Sequence, residues 1–189
     1  KIPSVFLSFT NLTTGNRNAI ECTNSPYALF GSKCINLTTI NIGEDVTTIP
    51  SLAFASIKNL TTIMIPDSVT SIGHSAFRGC GKLTSVTIPN NVTSIEHSAF
   101  ADCKSLATVN WNATECADLS MTIFGDCTNL TTINIGENVK AIPALVFANI
   151  KGLTNITIPD SVTSIGRGAF WNCTGLTGVT IGKNVTNID

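Results

Sequence analysis

One pattern leaves this chain few folds to choose from: a unit of 23 residues that recurs along it. IPDSVTSIGHSAFRGCGKLTSVT (65–87) runs straight into IPNNVTSIEHSAFADCKSLATVN (88–110), and IPDSVTSIGRGAFWNCTGLTGVT returns at 158–180. Paler copies occupy 42–64 and 135–157. Apolar residues hold fixed places in each copy, as in Val69, Ile72, Ala76, Phe77, Cys80, Leu83 and Val86. A unit this short has no interior of its own, so its apolar positions are buried only when copies stack.

A second period lies over the first. NLTTINIGE occurs at 36–44 and 129–137, and NRNAIEC (16–22) matches NWNATEC (110–116). The 189 residues therefore read as one array of two tandem blocks of about 94 residues, 1–94 and 95–189. Both ends fall inside a repeat and neither has a polar cap, which leads us to expect a longer array. The opening KIPSVF is the tail of a repeat rather than a secretion signal.

Each repeat carries L-x-x-I/V-x-I, for example Leu83, Val86 and Ile88, followed by IP-x-x-V-T-x-I-G-x-x-A-F-x-x-C. This closely resembles the BspA-type leucine-rich repeat family over essentially the whole chain. The resemblance implies a leucine-rich-repeat solenoid, mostly β: short parallel strands in a curved right-handed array, with turns or single helical turns on the convex side. It also implies an extracellular, surface-attached protein of host-associated bacteria or parasitic protists, engaged in adhesion to host proteins or other cells. Stacking at strand spacing agrees with such a fold, because coils about 4.8 Å apart bury every apolar column.

Composition narrows the function. Charged residues make up 12% and the net charge is −1, so no basic surface is available for nucleic acid or anionic lipid. No apolar run is long enough to span a membrane as a helix. Glycines follow the repeat and form no phosphate loop, and Glu44, Asp67, Glu137 and Asp160 sit at turns that favour acidic residues anyway. No histidine falls in register with a distinctive Ser or Cys, which argues against a nucleophile–base pair. We expect no enzyme activity and no cofactor.

Seven cysteines invite a metal or disulfide reading. Cys80, Cys103, Cys127 and Cys173 share a column with Ile57 and Ile150, and interchange with Ile marks a buried position. Cys34 belongs to that column too, while Cys22 and Cys116 stand where other repeats have Val. Bridges Cys22–Cys34 and Cys116–Cys127 remain an alternative, since each would close a loop of about a dozen residues in an oxidising compartment. His74 and His97, one period apart, would stack within about 5 Å, but their column also holds Ser51, Ala144 and Arg167, as a solvated surface does. Nine N-x-S/T triplets, at Asn11, Asn36, Asn59, Asn91, Asn112, Asn129, Asn155, Asn172 and Asn184, are mostly by-products of the repeat's own N-L-T.

Strand alternation leaves two outward columns on the presumed concave sheet. They supply the candidate binding face: Thr39, Asn41, Thr62, Met64, Ser85, Thr87, Thr108, Asn110, Thr132, Asn134, Asn155 and Thr157. To these we add Trp111, in the irregular stretch WNATECADLSMTIFGDC (111–127), which has one residue more than its neighbours between the strand and Cys116. Hydroxyls and amides dominate, without charge, so the expected partner is a protein of host matrix or cell surface, or a glycan, bound weakly per site and strengthened by repetition. The alternatives are a structural spacer that projects another domain, or an accessory region of a larger secreted enzyme.

Overall fold

The computed structural model describes residues 36–116, 118–119 and 122–189. The first block's irregular stretch (17–34) and the Cys22–Cys34 pairing lie outside the described residues. Each repeat forms one coil with two short strands, numbered in chain order. The odd-numbered strands are β1 (Thr39–Asn41), β3 (Thr62–Met64), β5 (Ser85–Ile88), β7 (Thr108–Trp111), β9 (Thr132–Ile135), β11 (Asn155–Ile158) and β13 (Gly178–Ile181). The even ones are β2 (Thr48–Ile49), β4 (Ser71–Ile72), β6 (Ser94–Ile95), β8 (Asp118–Leu119), β10 (Ala141–Ile142), β12 (Ser164–Ile165) and β14 (Asn187–Ile188). Where neighbouring coils pair they do so parallel and in repeat register, Ser85 opposite Thr108 and Ser71 opposite Ser94, with the odd ladder interrupted between β3 and β5 and between β9 and β11. The fold is the expected parallel solenoid, and its remaining side is built from turns, with no helix among the described residues.

Those turns form a third ladder. Leu52, Phe54 and Ser56 donate their N–H groups to the carbonyls of His74, Ala76 and Arg78 in the next coil, at 2.8, 2.8 and 2.7 Å. The same triplet recurs from Ser75, Phe77 and Gly79, from Ser98, Phe100 and Asp102, and from Leu145, Phe147 and Asn149. Its donors all face the following coil because each segment begins and ends in left-handed conformation. Leu52, Ser75, Ser98, Leu145 and Gly168 open it, and Ser56, Gly79, Asp102, Asn149 and Asn172 close it. Asn, Asp and Gly tolerate that conformation, which explains the closing column.

Inside, the repeat phenylalanines stack in a column. Ring centroids of Phe54, Phe77 and Phe100 lie 5.3 and 5.0 Å apart, and Phe147 sits 5.6 Å from Phe170. Beside them the column cysteines Cys80, Cys103, Cys127 and Cys173 are buried, unbridged thiols, so no disulfide joins Cys127 to the equally buried Cys116. Cys80, Cys103, Cys127 and Cys173 each donate a thiol hydrogen to a Phe carbonyl of the preceding coil, at 3.1–3.3 Å. Burial raises these thiols: Cys80 and Cys127 are pushed up to about 12. Cys103 moves the same way, through burial and then its neighbours Cys80 and Cys127.

One junction departs from the pattern. Trp111 still pairs with Ile88, yet Asp118 opposite Ser94 is one residue out of the 23-residue period, so the extra residue lies between them. Ala113 is fully buried there and Cys116 keeps its place in the core. Thr122 then stands where the other coils start their left-handed segment, and it is not left-handed. Its β-branch makes that conformation costly. Among the described residues, no backbone hydrogen bond joins 122–126 to the carbonyls of 144–148, and β8 does not pair with β10. Ile150 replaces the thiol donor, and Phe124 lies 6.3 Å from Phe147. The β7–β9 ladder (Thr108 opposite Thr132) persists at this seam, and the Lys140 N–H donates to the Thr114 carbonyl at 3.2 Å.

Two measurements follow. The unfolded chain releases thiol protons near the ordinary value of about 8.5 while the folded chain holds them, so the unfolded state binds fewer protons in alkali. Stability is therefore intact below about pH 8.5 and falls as pH rises towards 12, by about 1.4 kcal/mol per pH unit for each such thiol. Urea midpoints at pH 7 and pH 10 should show this drop, and Cys80→Ile with Cys103→Ile should shrink it. Hydrogen exchange should find the amides of residues 122–126 among the fastest of the turn ladder and those of Phe77 and Phe100 among the slowest.

Candidate functional site

Period-two alternation on the odd strands sends Ile40, Ile63, Val86, Val109, Ile133 and Ile156 inward and leaves their neighbours outside. The sequence candidates thus share one surface in the expected register: Thr39 faces Thr62, Asn41 faces Met64, Thr87 faces Asn110, Asn110 faces Asn134, and Asn155 faces Gly178. Thr62, Ser85, Thr87, Thr132, Asn134, Asn155 and Thr157 are exposed, and Thr39, Thr108 and Asn110 half-buried. Met64 is an apolar exception at 64% exposure.

The amides knit this face together. Asn134 donates to Asn110 Oδ1 at 2.8 Å, and Asn110 to Thr87 Oγ1 at 3.1 Å, a ladder across three coils. Asn155 turns to Thr154 Oγ1 at 3.2 Å instead. Gly178 beside it leaves room for this rotamer, since a Cβ there would make the Asn155 amide move. Where β9 and β11 run side by side without a ladder, the face sinks into a trough of about 700 Å³. Thr132, Asn134, Asn155 and Thr157 line it, with Glu137 and Asp160 at one rim. The backbone N–H of Lys183 and then its ammonium group, 3.0 Å away, hold the exposed Asp160 carboxyl below its ordinary value.

Trp111 is a correction. It is fully buried, so it offers no contact to a partner. It fills the strand-ending position of Ile88 and Ile135, and that position points inward. Its ring meets Phe147 edge-on at 5.5 Å, and its indole Nε1 is buried without a hydrogen-bond partner. The residue that swells the core at the seam is thus the one expected to mark the surface. Trp111→Ala should cost about 3–5 kcal/mol of stability. Trp111→Phe should cost less in urea unfolding, because it also removes the orphaned N–H.

The histidines lie closer than expected, with ring centroids 3.9 Å apart. His74 Nδ1 is 3.1 Å from the His97 carbonyl, and Nε2 is 3.2 Å from Ser75 Oγ. The sequence expectation of no Ser–His register is therefore wrong in geometry. Ser75 is only 1% exposed, however, which closes its hydroxyl to a substrate. Glu96 accepts a hydrogen bond from the His74 backbone, 2.8 Å away, not from the ring. Among the described residues, no three His, Cys, Asp or Glu side chains come together as a metal site. Several triplet asparagines also brace neighbouring coils: Asn91, Asn129 and Asn184 donate to carbonyls of Asp67, Lys104 and Asp160 at 2.7–2.9 Å. Sequence reasoning passed over Trp171 and Leu145, both exposed on the turn side. Their sole sequence signal is that each is a large apolar residue in a column elsewhere held mainly by small ones.

The surface can form many hydrogen bonds and shallow contacts, and its described residues include no helix able to cross a membrane. A leucine-rich-repeat protein of T. pallidum shares the fold, at 24% identity and a TM-score of 0.58, over 79% of this chain and 72% of its own. One from Eubacterium ventriosum matches at 29% identity and a TM-score of 0.53, over 77% of this chain and 46% of its own. Curated proteins yield no significant match. The BspA type leucine rich repeat region matches in six copies, across residues 23–154 and 113–189. With the stacked coils, the repeat register and that match over most of its length, the chain belongs to the BspA-type leucine-rich repeat family.

Proposed function

We propose that this segment is a non-catalytic interaction module, acting at the cell surface, that adheres to proteins of a host or neighbouring cell through its sheet face. The single observation behind this reading is the Thr/Asn face with its trough of about 700 Å³, onto which four of the sequence candidates converge. Leucine-rich repeats are interaction scaffolds, and the extended faces of solenoids are their usual binding surfaces. A face without charge on its columns makes weak individual contacts, so useful avidity comes from successive coils. The same repetition makes a carbohydrate chain the second partner class that the hydroxyls and amides suit.

Binding of the purified segment to a panel of immobilised extracellular-matrix proteins and to whole cells tests this. We expect saturable binding in the micromolar range to at least one surface. Asn134→Arg with Thr157→Arg should weaken it about tenfold while lowering the unfolding midpoint only slightly, because both positions are exposed and the change removes one surface amide bond. A complete lack of saturable binding would leave the spacer reading in its place.

A further inference from the structure

On the turn side, away from the sheet face, Ala144, Leu145, Arg167, Gly168 and Trp171 enclose an open hollow of about 420 Å³ with almost wholly apolar walls. Its composition departs from the repeat most at Trp171. Trp171 is 62% exposed, in a column filled elsewhere by Ala55, Arg78, Ala101, Gly125 and Ala148. Leu145 is 38% exposed and left-handed, with φ of 57°. The same position is Leu52, also left-handed, in one other coil, while Ser75, Ser98 and Gly168 hold it elsewhere and occupy that conformation more easily. Gly168 keeps the floor open, since a Cβ there would lie 3.0 Å from Leu145 Cδ2. Among the described coils, a left-handed leucine beside an exposed tryptophan occurs here alone.

Charge decides the occupant. Arg167 is exposed and makes no ion pair among the described residues, whereas Arg78, in the column of Trp171, meets Asp102 at 3.0 Å. No acidic residue lines the hollow. We infer that this hollow is a second docking surface, specific for a protein segment that presents a bulky apolar side chain next to a carboxylate. The apolar side chain lies between Trp171 and Leu145, and the carboxylate meets the Arg167 guanidinium. Trp and Arg are the residues most enriched at binding hot spots, and the sheet face holds neither. This docking surface stands independently of the sheet-face reading.

The test uses capped hexapeptides and the fluorescence of the intact segment, whose two tryptophans are the buried Trp111 and the exposed Trp171. Ac-Gly-Asp-Leu-Phe-Asp-Gly-NH₂ should give a saturable blue shift in the wild type, and no shift in Trp171→Phe. Arg167→Glu should weaken binding at least tenfold and favour the peptide with Lys in place of Asp. Leu145→Ser should weaken it several-fold while leaving the melting temperature unchanged or higher, because Ser already occupies this conformation at Ser75 and Ser98. Asn134→Arg with Thr157→Arg should bind the peptide as the wild type does, which separates this surface from the sheet face. No saturable shift at millimolar peptide, equal response to the Lys peptide, or indifference to Arg167→Glu would each overturn the proposal.

Discussion

Everything in this molecule depends on one coil satisfying the next. A 23-residue unit has no interior, so its Leu, Ile, Val and Phe are buried by the neighbouring copy or not at all. The hydrogen bonds obey the same logic. Both strand series and the turn ladder run between coils, and even the cysteine thiols reach back to a carbonyl one coil away. Stability is therefore shared along the axis, and each junction counts for as much as the links that cross it.

That view gives the irregular stretch its meaning. Between the coil of Trp111 and the coil that follows, the turn ladder, the second strand pairing and the thiol link all lapse among the described residues, and the phenylalanine column widens to 6.3 Å. The extra residue itself is absorbed without harm to the core. The interruption arises from two side chains: a β-branched Thr122 at a left-handed position, and an indole too large and too polar for an isoleucine's place.

Much of this was legible in the sequence for a physical reason. Repetition displays every core position several times, so Cys80 and Cys103 could be assigned to the interior from their exchange with Ile57 and Ile150. The outward columns followed from alternation and stand in the register expected for them. Features that occur once had no such support. Trp111 looked like a surface aromatic because bulk and irregularity are common at sites, although its register with Ile88 already pointed inward. The Ser75–His74 contact arises from a tight turn between adjacent residues, which no period can reveal. The hollow beside Trp171 depends on how two coils meet, a property that neither repeat has alone.

The turn ladder carries a further consequence. Its N–H groups all look toward the following coil and its carbonyls toward the preceding one, so along this side the stack has a donor end and an acceptor end. Two such stacks brought together by like ends would set donor against donor. Any extension of the ladder, by more of the chain or by another molecule, must run head to tail, and the repeat carries this polarity in the handedness of two residues per turn.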